Sequence, residues 1–228
     1  MDPNGFRMFM ASGRLPSGFQ LGQSLQGGYF AGYISHTANS VATHALIIAP
    51  RATGASGSLY PITNGLSWKT SRTSTAGADN LYDGKVNTDA IVAAGIANHP
   101  AAQFCVNLNI GGYSDWYLPS LYESEIAYYN LKPGTQSNAT IDTAAFNNYA
   151  VPVRASQYTS SVPQRTLATA FRTGGSEALS LAFHWTSSQP AFNPALAHII
   201  TFSNGAGSTN IVKEATNYMT RAFRKISI

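Results

Sequence analysis

Apolar residues along this chain follow strand spacing at the two ends and helical spacing in the middle. Over 29–34 and 44–48 they run almost unbroken (Tyr29, Phe30, Ala31, Tyr33, Ile34; then Ala45, Leu46, Ile47, Ile48), and Pro50 ends the second run. Segments of five or six residues with four or five apolar positions, bounded by turn formers, read as strands. Strand-like spacing returns over 178–185, 197–202, 210–213 and 218–228, with an Asn204-Gly205 turn between the second and third. Asn87 is placed to cap a helix running to about Asn98, with Ile91, Val92 and Ile96 on or near one face. His99-Pro100 interrupts it, and a second helical stretch runs from Ala101 towards Leu108, stopped by Gly111-Gly112. Ser120 and Glu123 have the spacing of a capping box, which predicts a helix to about Leu131. Residues 52–57 and 64–65 read as turns. Helices in the middle and strands at both ends predict an α+β fold with the termini in one sheet, strand 29–34 lying beside strand 218–228.

Two segments lack periodicity. Residues 1–26 are rich in Gly, Ser and Gln, including Gln20, Gln23 and Gln26, and are expected to form an arm ordered only against a partner. Residues 132–176 form a long insertion of Ser, Thr, Asn, Gln and Pro within a domain spanning 27–228; a loop of that length usually carries function or lacks order.

Charged residues make up only 11% of the 228, so Ser, Thr, Asn, Gln, Gly and Tyr must cover the surface. That composition suits an adaptable polar recognition surface. The net charge of +4 is spread along the chain without a basic cluster, which argues against nucleic-acid binding. No stretch approaches the roughly 20 apolar residues of a membrane span, and the N-terminal residues lack the pattern of a secretory leader. The single Cys105 lies in an apolar run, where a buried, inert thiol is expected. No zinc-protease, nucleophile-elbow, P-loop or dinucleotide motif occurs, and the five histidines are scattered. His44 and His184 sit in strand patterns and are expected as packed imidazoles. Glu123 and Glu125, two apart on a helix, point in different directions and cannot act as an acid/base couple. The expectation is a protein that is not an enzyme and takes no cofactor or metal.

The densest set of geometric demands is Gly111 to Pro119, with Glu123 behind it, echoed by Trp185-Thr186-Ser187-Ser188 and Arg221-Ala222-Phe223-Arg224. With these residues the chain resembles a domain family found at the ends of phage tail fibres and in the C-terminal domain of a collagen-like bacterial adhesin. That family's pattern reads Gly-Tyr-Ser-Asp-Trp-Arg-Leu-Pro, a helix, Tyr-Trp-Ser-Ser-Thr, a Phe-x-x-Gly hairpin and a closing Val-Arg-x-Val-Arg. Here it appears as Gly112 to Pro119, His184 to Ser188, Phe202-Ser203-Asn204-Gly205 and Arg221 to Arg224. The resemblance covers about 27–228 and implies a C-type-lectin-like fold, an antiparallel sheet flanked by two or three helices with long irregular loops. Tyr117 stands where the family commonly has Arg. A single cysteine cannot supply formylglycine-generating chemistry, and the calcium-binding triplets of sugar-binding lectins are missing.

The resemblance implies a phage tail-fibre or tail-tip protein that recognises a host-surface glycan or protein, synthesised in the host cytoplasm and carried on the virion tail. Its partners would be other tail proteins, docked through residues 1–26; no membrane insertion is expected, and a homotrimer stays open. The alternative is a structural virion component, such as a baseplate, fibre-base or decoration protein, using the fold for protein–protein contacts. Trp116, Leu118 and Trp185 are expected in the core, and Arg221 and Arg224 in structural roles. Recognition is assigned to loops: Tyr158 and Arg165 in the insertion, with Tyr149 beside them, and Gln189, Phe192 and Asn193 after Trp185. For Tyr149 and Phe192 the competing reading is closure over the core.

Overall fold

The computed structural model describes residues 18–57, 65–141 and 146–228. In chain order these form β1 (Ser24–Leu25), β2 (Gly28–Ile34), β3 (His44–Ile48), α1 (Arg51–Gly54), β4 (Ala55–Ser56), α2 (Gly84–Ala93), α3 (Pro100–Val106) and α4 (Leu121–Leu131). They continue with β5 (Ala150–Val151), β6 (Phe183–Trp185), β7 (Leu196–Thr201), β8 (Gly207–Val212), β9 (Thr220–Arg221) and β10 (Phe223–Ser227). The fold is α+β, with antiparallel sheets.

The main sheet runs β1-β2-β3-β10, with β5 on the far end of β2. Its middle strand shows why the apolar run at 44–48 is unbroken: both faces are covered. Leu46 and Ile48 pack with Ala31, Ile34 and the α4 residues Ile126, Ala127 and Leu131. Ile47 packs with Trp68, Trp116, Leu118 and Trp185, and Ala45 with Phe30 and Tyr33. The terminal strand pairs with β3, Phe223 opposite Ile48 and Ser227 opposite His44, and not with strand 29–34 as expected. The reason is that the free edge of β2 is already occupied, by β1 at one end and β5 at the other. A second sheet, β6-β7-β8, is a meander, and β4 pairs with β9.

The folded unit begins before Gly27. β1 and β2 form a hairpin whose two loop residues, Gln26 and Gly27, have φ of 44° and 83°, the left-handed pair favoured by tight hairpins. Phe19 and Leu21 pack against Phe30 and Tyr33. Residues 18–26 therefore belong to the folded unit, and the remainder of the expected arm, residues 1–17, lies outside the described residues.

Two local expectations are corrected by available hydrogen bonds. The α2 cap is Asp83, whose Oδ1 accepts from the Lys85 and Val86 N–H groups at 3.1 Å each. Asn87 lies inside the helix, buried, where its side chain bonds both backbone groups of Asn80 and reaches Ser187 Oγ at 3.0 Å. Residues 52–57 hold most of α1 and all of β4 rather than only a turn.

Candidate functional site

The residues that carry the family resemblance build scaffold. Gly111 and Gly112 turn the chain at φ of 63° and 84°, and Trp116, 2% exposed, donates its indole N–H to the Tyr113 carbonyl at 2.9 Å. Ser120 and Glu123 form the predicted capping box. The Glu123 carboxylate also accepts from Gly84 N–H at 3.0 Å and Tyr117 O–H at 2.8 Å. Tyr117 thus supplies a neutral donor where the family pattern has a cation. Burial raises the Glu123 pKa to about 7 in spite of these donors. A side chain at residue 84 would run into this carboxylate and the Leu118 carbonyl, so glycine is required there. The two terminal arginines are structural. Arg221 is held by the Ala49 carbonyl and Glu177; Arg224 is held by Asp115 and lies over the Tyr113 ring at 4.0 Å.

The insertion 132–176 is fastened from within. On α4, Glu125 accepts from Arg154 Nε at 2.7 Å, Tyr158 O–H at 2.6 Å and Asn147 Nδ2 at 2.7 Å, and all four residues are buried. Just past α4, buried Lys132 donates to the Gln136 carbonyl, Asn138 Oδ1 and the Pro163 carbonyl at 2.6, 2.6 and 3.2 Å. Asn138 in turn donates to the Thr159 and Pro163 carbonyls. Large apolar side chains of the same segment face outward: Ile141 is 91% exposed and Leu167 87%, with Phe146 and Val162 also exposed. Two of the segment's charges, Lys132 and Arg154, thus lie inside while four of its large hydrophobes lie outside; Val151, Tyr158 and Phe171 face inward and Arg165 is exposed.

The five expected recognition residues do not form one site. Tyr158 is buried beneath the insertion, bonded to Glu125 and packed with Tyr128. Gln189 is buried in a different cluster, where its Oε1 accepts from Lys213 Nζ at 2.6 Å and Thr75 N–H at 3.1 Å. Both are expected in recognition loops; each instead carries a polar group that closes a buried network. Arg165 is exposed. Phe192 is 73% exposed, and Asn193, half-buried, accepts from Ala195 N–H at 3.1 Å.

A surface feature assembled from four segments was not visible in the sequence. The half-buried rings of His44, His36, Tyr82, Tyr149 and Tyr122 follow one another at centroid separations of 4.3, 5.7, 4.0 and 5.8 Å. Tyr82 and Tyr149 are face to face at 8°. At one end Asp83 pairs with Lys225 Nζ at 2.6 Å and with His36 Nδ1 at 3.4 Å. Burial, reinforced by Lys225, lowers the His36 pKa to about 4, so this imidazole is neutral near pH 7. Tyr149, from the insertion, is packed in this row rather than over the core alone.

Glu123 and Glu125 are each enclosed by their own donors on separate sides of α4. Cys105 is free and buried, its thiol pKa pushed up by burial. Among the described residues no three of His, Cys, Asp and Glu gather where they could hold a metal ion, and no helix is long and apolar enough to cross a membrane.

No family model matches the chain, and no curated protein matches it. Among solved structures it is similar to a fimbrial protein from Bacteroides ovatus, at 15% identity and a TM-score of 0.40, over 86% of this chain and 43% of that one. The chain therefore spans less than half the length of that protein.

Proposed function

We propose that this chain is a surface-recognition domain of C-type-lectin-like design, carried on a phage tail fibre or tail tip, that attaches the particle to a host-surface glycan or protein. The observation that carries the reading is the set of exposed hydrophobes on residues 132–176, Ile141, Phe146, Val162 and Leu167, in a segment fastened by buried Lys132 and Arg154. An isolated exposed Leu or Ile means little, but a segment that buries Lys132 and Arg154 while exposing Ile141 and Leu167 has its outer face shaped for contact. The buried ion pair and the lysine bonded to carbonyls hold that face in one conformation, which lowers the entropy cost of binding. Exposed Phe192 and Arg165, and the tyrosine row through Tyr149, add side chains of the kinds that anchor interfaces. The tail assignment rests on the motif at Gly112 to Pro119 and its echoes at 185–188 and 221–224.

Purified, fluorescently labelled protein should bind saturably to some bacterial strains of a panel and not to others. Absence of cell binding, together with incorporation of the protein into particles, would favour a structural virion component docking through the same face.

A further inference from the structure

A cavity of about 370 Å³ opens beside α1, lined by Ala55 of β4 and Arg221 of β9, with Leu179 and Met219 on its walls. Its size falls in the range of small-molecule sites, roughly 300–1,000 Å³. We propose that this pocket binds a small monocarboxylate with a short apolar body, its carboxylate held by Arg51.

Charge selects the ligand's sign. Arg51, Arg221 and Glu177 are the charged groups at the pocket. Glu177 Oε2 already accepts from the Arg51 backbone N–H at 2.7 Å and from Arg221 Nη2 at 3.1 Å. Arg221 is fixed further by the Ala49 carbonyl at 2.6 Å from Nε, so its charge is answered within the protein. The Arg51 side chain has no acceptor among the described residues and stands exposed at the rim. One cation is left over, which matches a monoanion and gives a dianion only half its counter-charge. His184, on the wall, adds nothing to the count. Its Nδ1 lies 3.0 Å from the Ala182 carbonyl and must donate to it, and burial lowers its pKa to about 3.

Chemistry selects the shape. A guanidinium offers two parallel N–H donors that fit a carboxylate, and the Ser176 hydroxyl at the lining can donate to it as well. The lining also includes Ala52, Ala55, Leu179 and the Met219 thioether, the last already accepting from Ser180 Oγ at 3.1 Å. Such a wall accommodates a short aliphatic group. The carboxylate could come from a free organic acid or from the end of a peptide chain.

The test is calorimetric titration of the full chain with N-acetyl-leucine, with N-acetyl-leucinamide as its uncharged counterpart, and with a pentapeptide ending in a free leucine carboxylate. The acid is expected to bind saturably with a Kd near about 1 mM or tighter, and the amide at least about tenfold more weakly. Tighter binding of the pentapeptide identifies a chain terminus, and binding of N-acetyl-leucine alone identifies a small acid. Arg51→Ala should abolish saturable binding and Arg51→Lys should retain part of it, with melting temperatures unchanged because the side chain holds nothing in the protein. Equal binding of acid and amide, no binding of either acid or pentapeptide, or parental affinity in Arg51→Ala would overturn the proposal. Cell attachment is read separately, so neither result decides the other.

Discussion

Arg154 Nε meets the Glu125 carboxylate at 2.7 Å with the two side chains 8% and 0% exposed, so a charge from the insertion is neutralised inside the protein by a charge from α4. Removing one member leaves the other buried and unpaired, which typically costs about 3–5 kcal/mol, whereas replacing both by apolar groups of similar volume is often neutral. Arg154→Ala should therefore lower stability by roughly that amount, and Glu125→Gln combined with Arg154→Met, which removes both charges but keeps an amide oxygen to accept from Tyr158, should recover part of the loss. Urea denaturation of the three proteins checks this. If the single and double variants were equally destabilised, packing and not charge would account for the joint.

Trp116 and Ser120 belong to the same motif but contribute on different scales. Trp116→Ala empties a core position beside Ile47 and Trp185 and should cost about 3–5 kcal/mol. Ser120→Ala removes only the cap acceptor for Glu123 N–H and should cost about 1 kcal/mol. Neither should change cell attachment beyond the fraction unfolded. Comparable losses at both positions would contradict the division into core anchor and cap.

Acid should destabilise the protein in a defined window. Burial lowers His36 and His198 to about 4 and His184 to about 3, from an ordinary value of 6.5. Between those values and 6.5 the unfolded chain binds protons that the folded one does not, so stability falls as pH drops from about 6.5 towards 4. Glu123, raised by burial to about 7, works the other way between 7 and 4.5. Three imidazoles outweigh one carboxyl. His198→Gln should flatten the decline measured by thermal melting from pH 7 to pH 4. A flat parental profile, or a variant with the parental slope, would count against it.

Lys213 carries the same trend, stability rising with pH, to the alkaline side. It is buried with its Nζ on the Thr73 carbonyl and Gln189 Oε1 and 4.2 Å from the Trp68 ring centroid. Burial, with Lys69 nearby, lowers its pKa to about 7 from 10.5. Above pH 7 the unfolded chain holds a proton that the folded one has released, so stability should rise between pH 7 and about 9. Lys213→Met should remove that rise. Urea midpoints of the parent and variant at the two pH values decide it, and an identical rise in both would assign the effect elsewhere.

Local patterns foretold local structure well. The Ser120 and Glu123 spacing, the runs at 29–34 and 44–48 and the burial of Trp116 and Trp185 depend on neighbours within a few residues or on sheer size, and the structure has all of them. Pairing of the terminal strand with β3 depended on β1 and β5 occupying the edge of β2, two-residue strands too short to read. Tyr158 and Gln189 lie in segments that read as recognition loops, yet both are buried. Their partners, Glu125 and Lys213, lie 33 and 24 residues away, and only the folded chain brings each pair together. The fastening of 132–176 was hidden for the same reason: a buried Arg154 cannot be recognised until Glu125 is seen beneath it.

The central claim is that the outward face of the insertion, with Phe192, makes the contact. The direct measurement is equilibrium binding of labelled protein to a susceptible bacterial strain, parent against the Ile141→Ser, Leu167→Ser, Phe192→Ser triple variant, with melting temperatures compared in parallel. These side chains are 73–91% exposed, so the variant should fold as the parent does. Its affinity should fall at least about tenfold, the equivalent of roughly 1.4 kcal/mol. A folded variant that bound the cells as tightly as the parent would contradict the account.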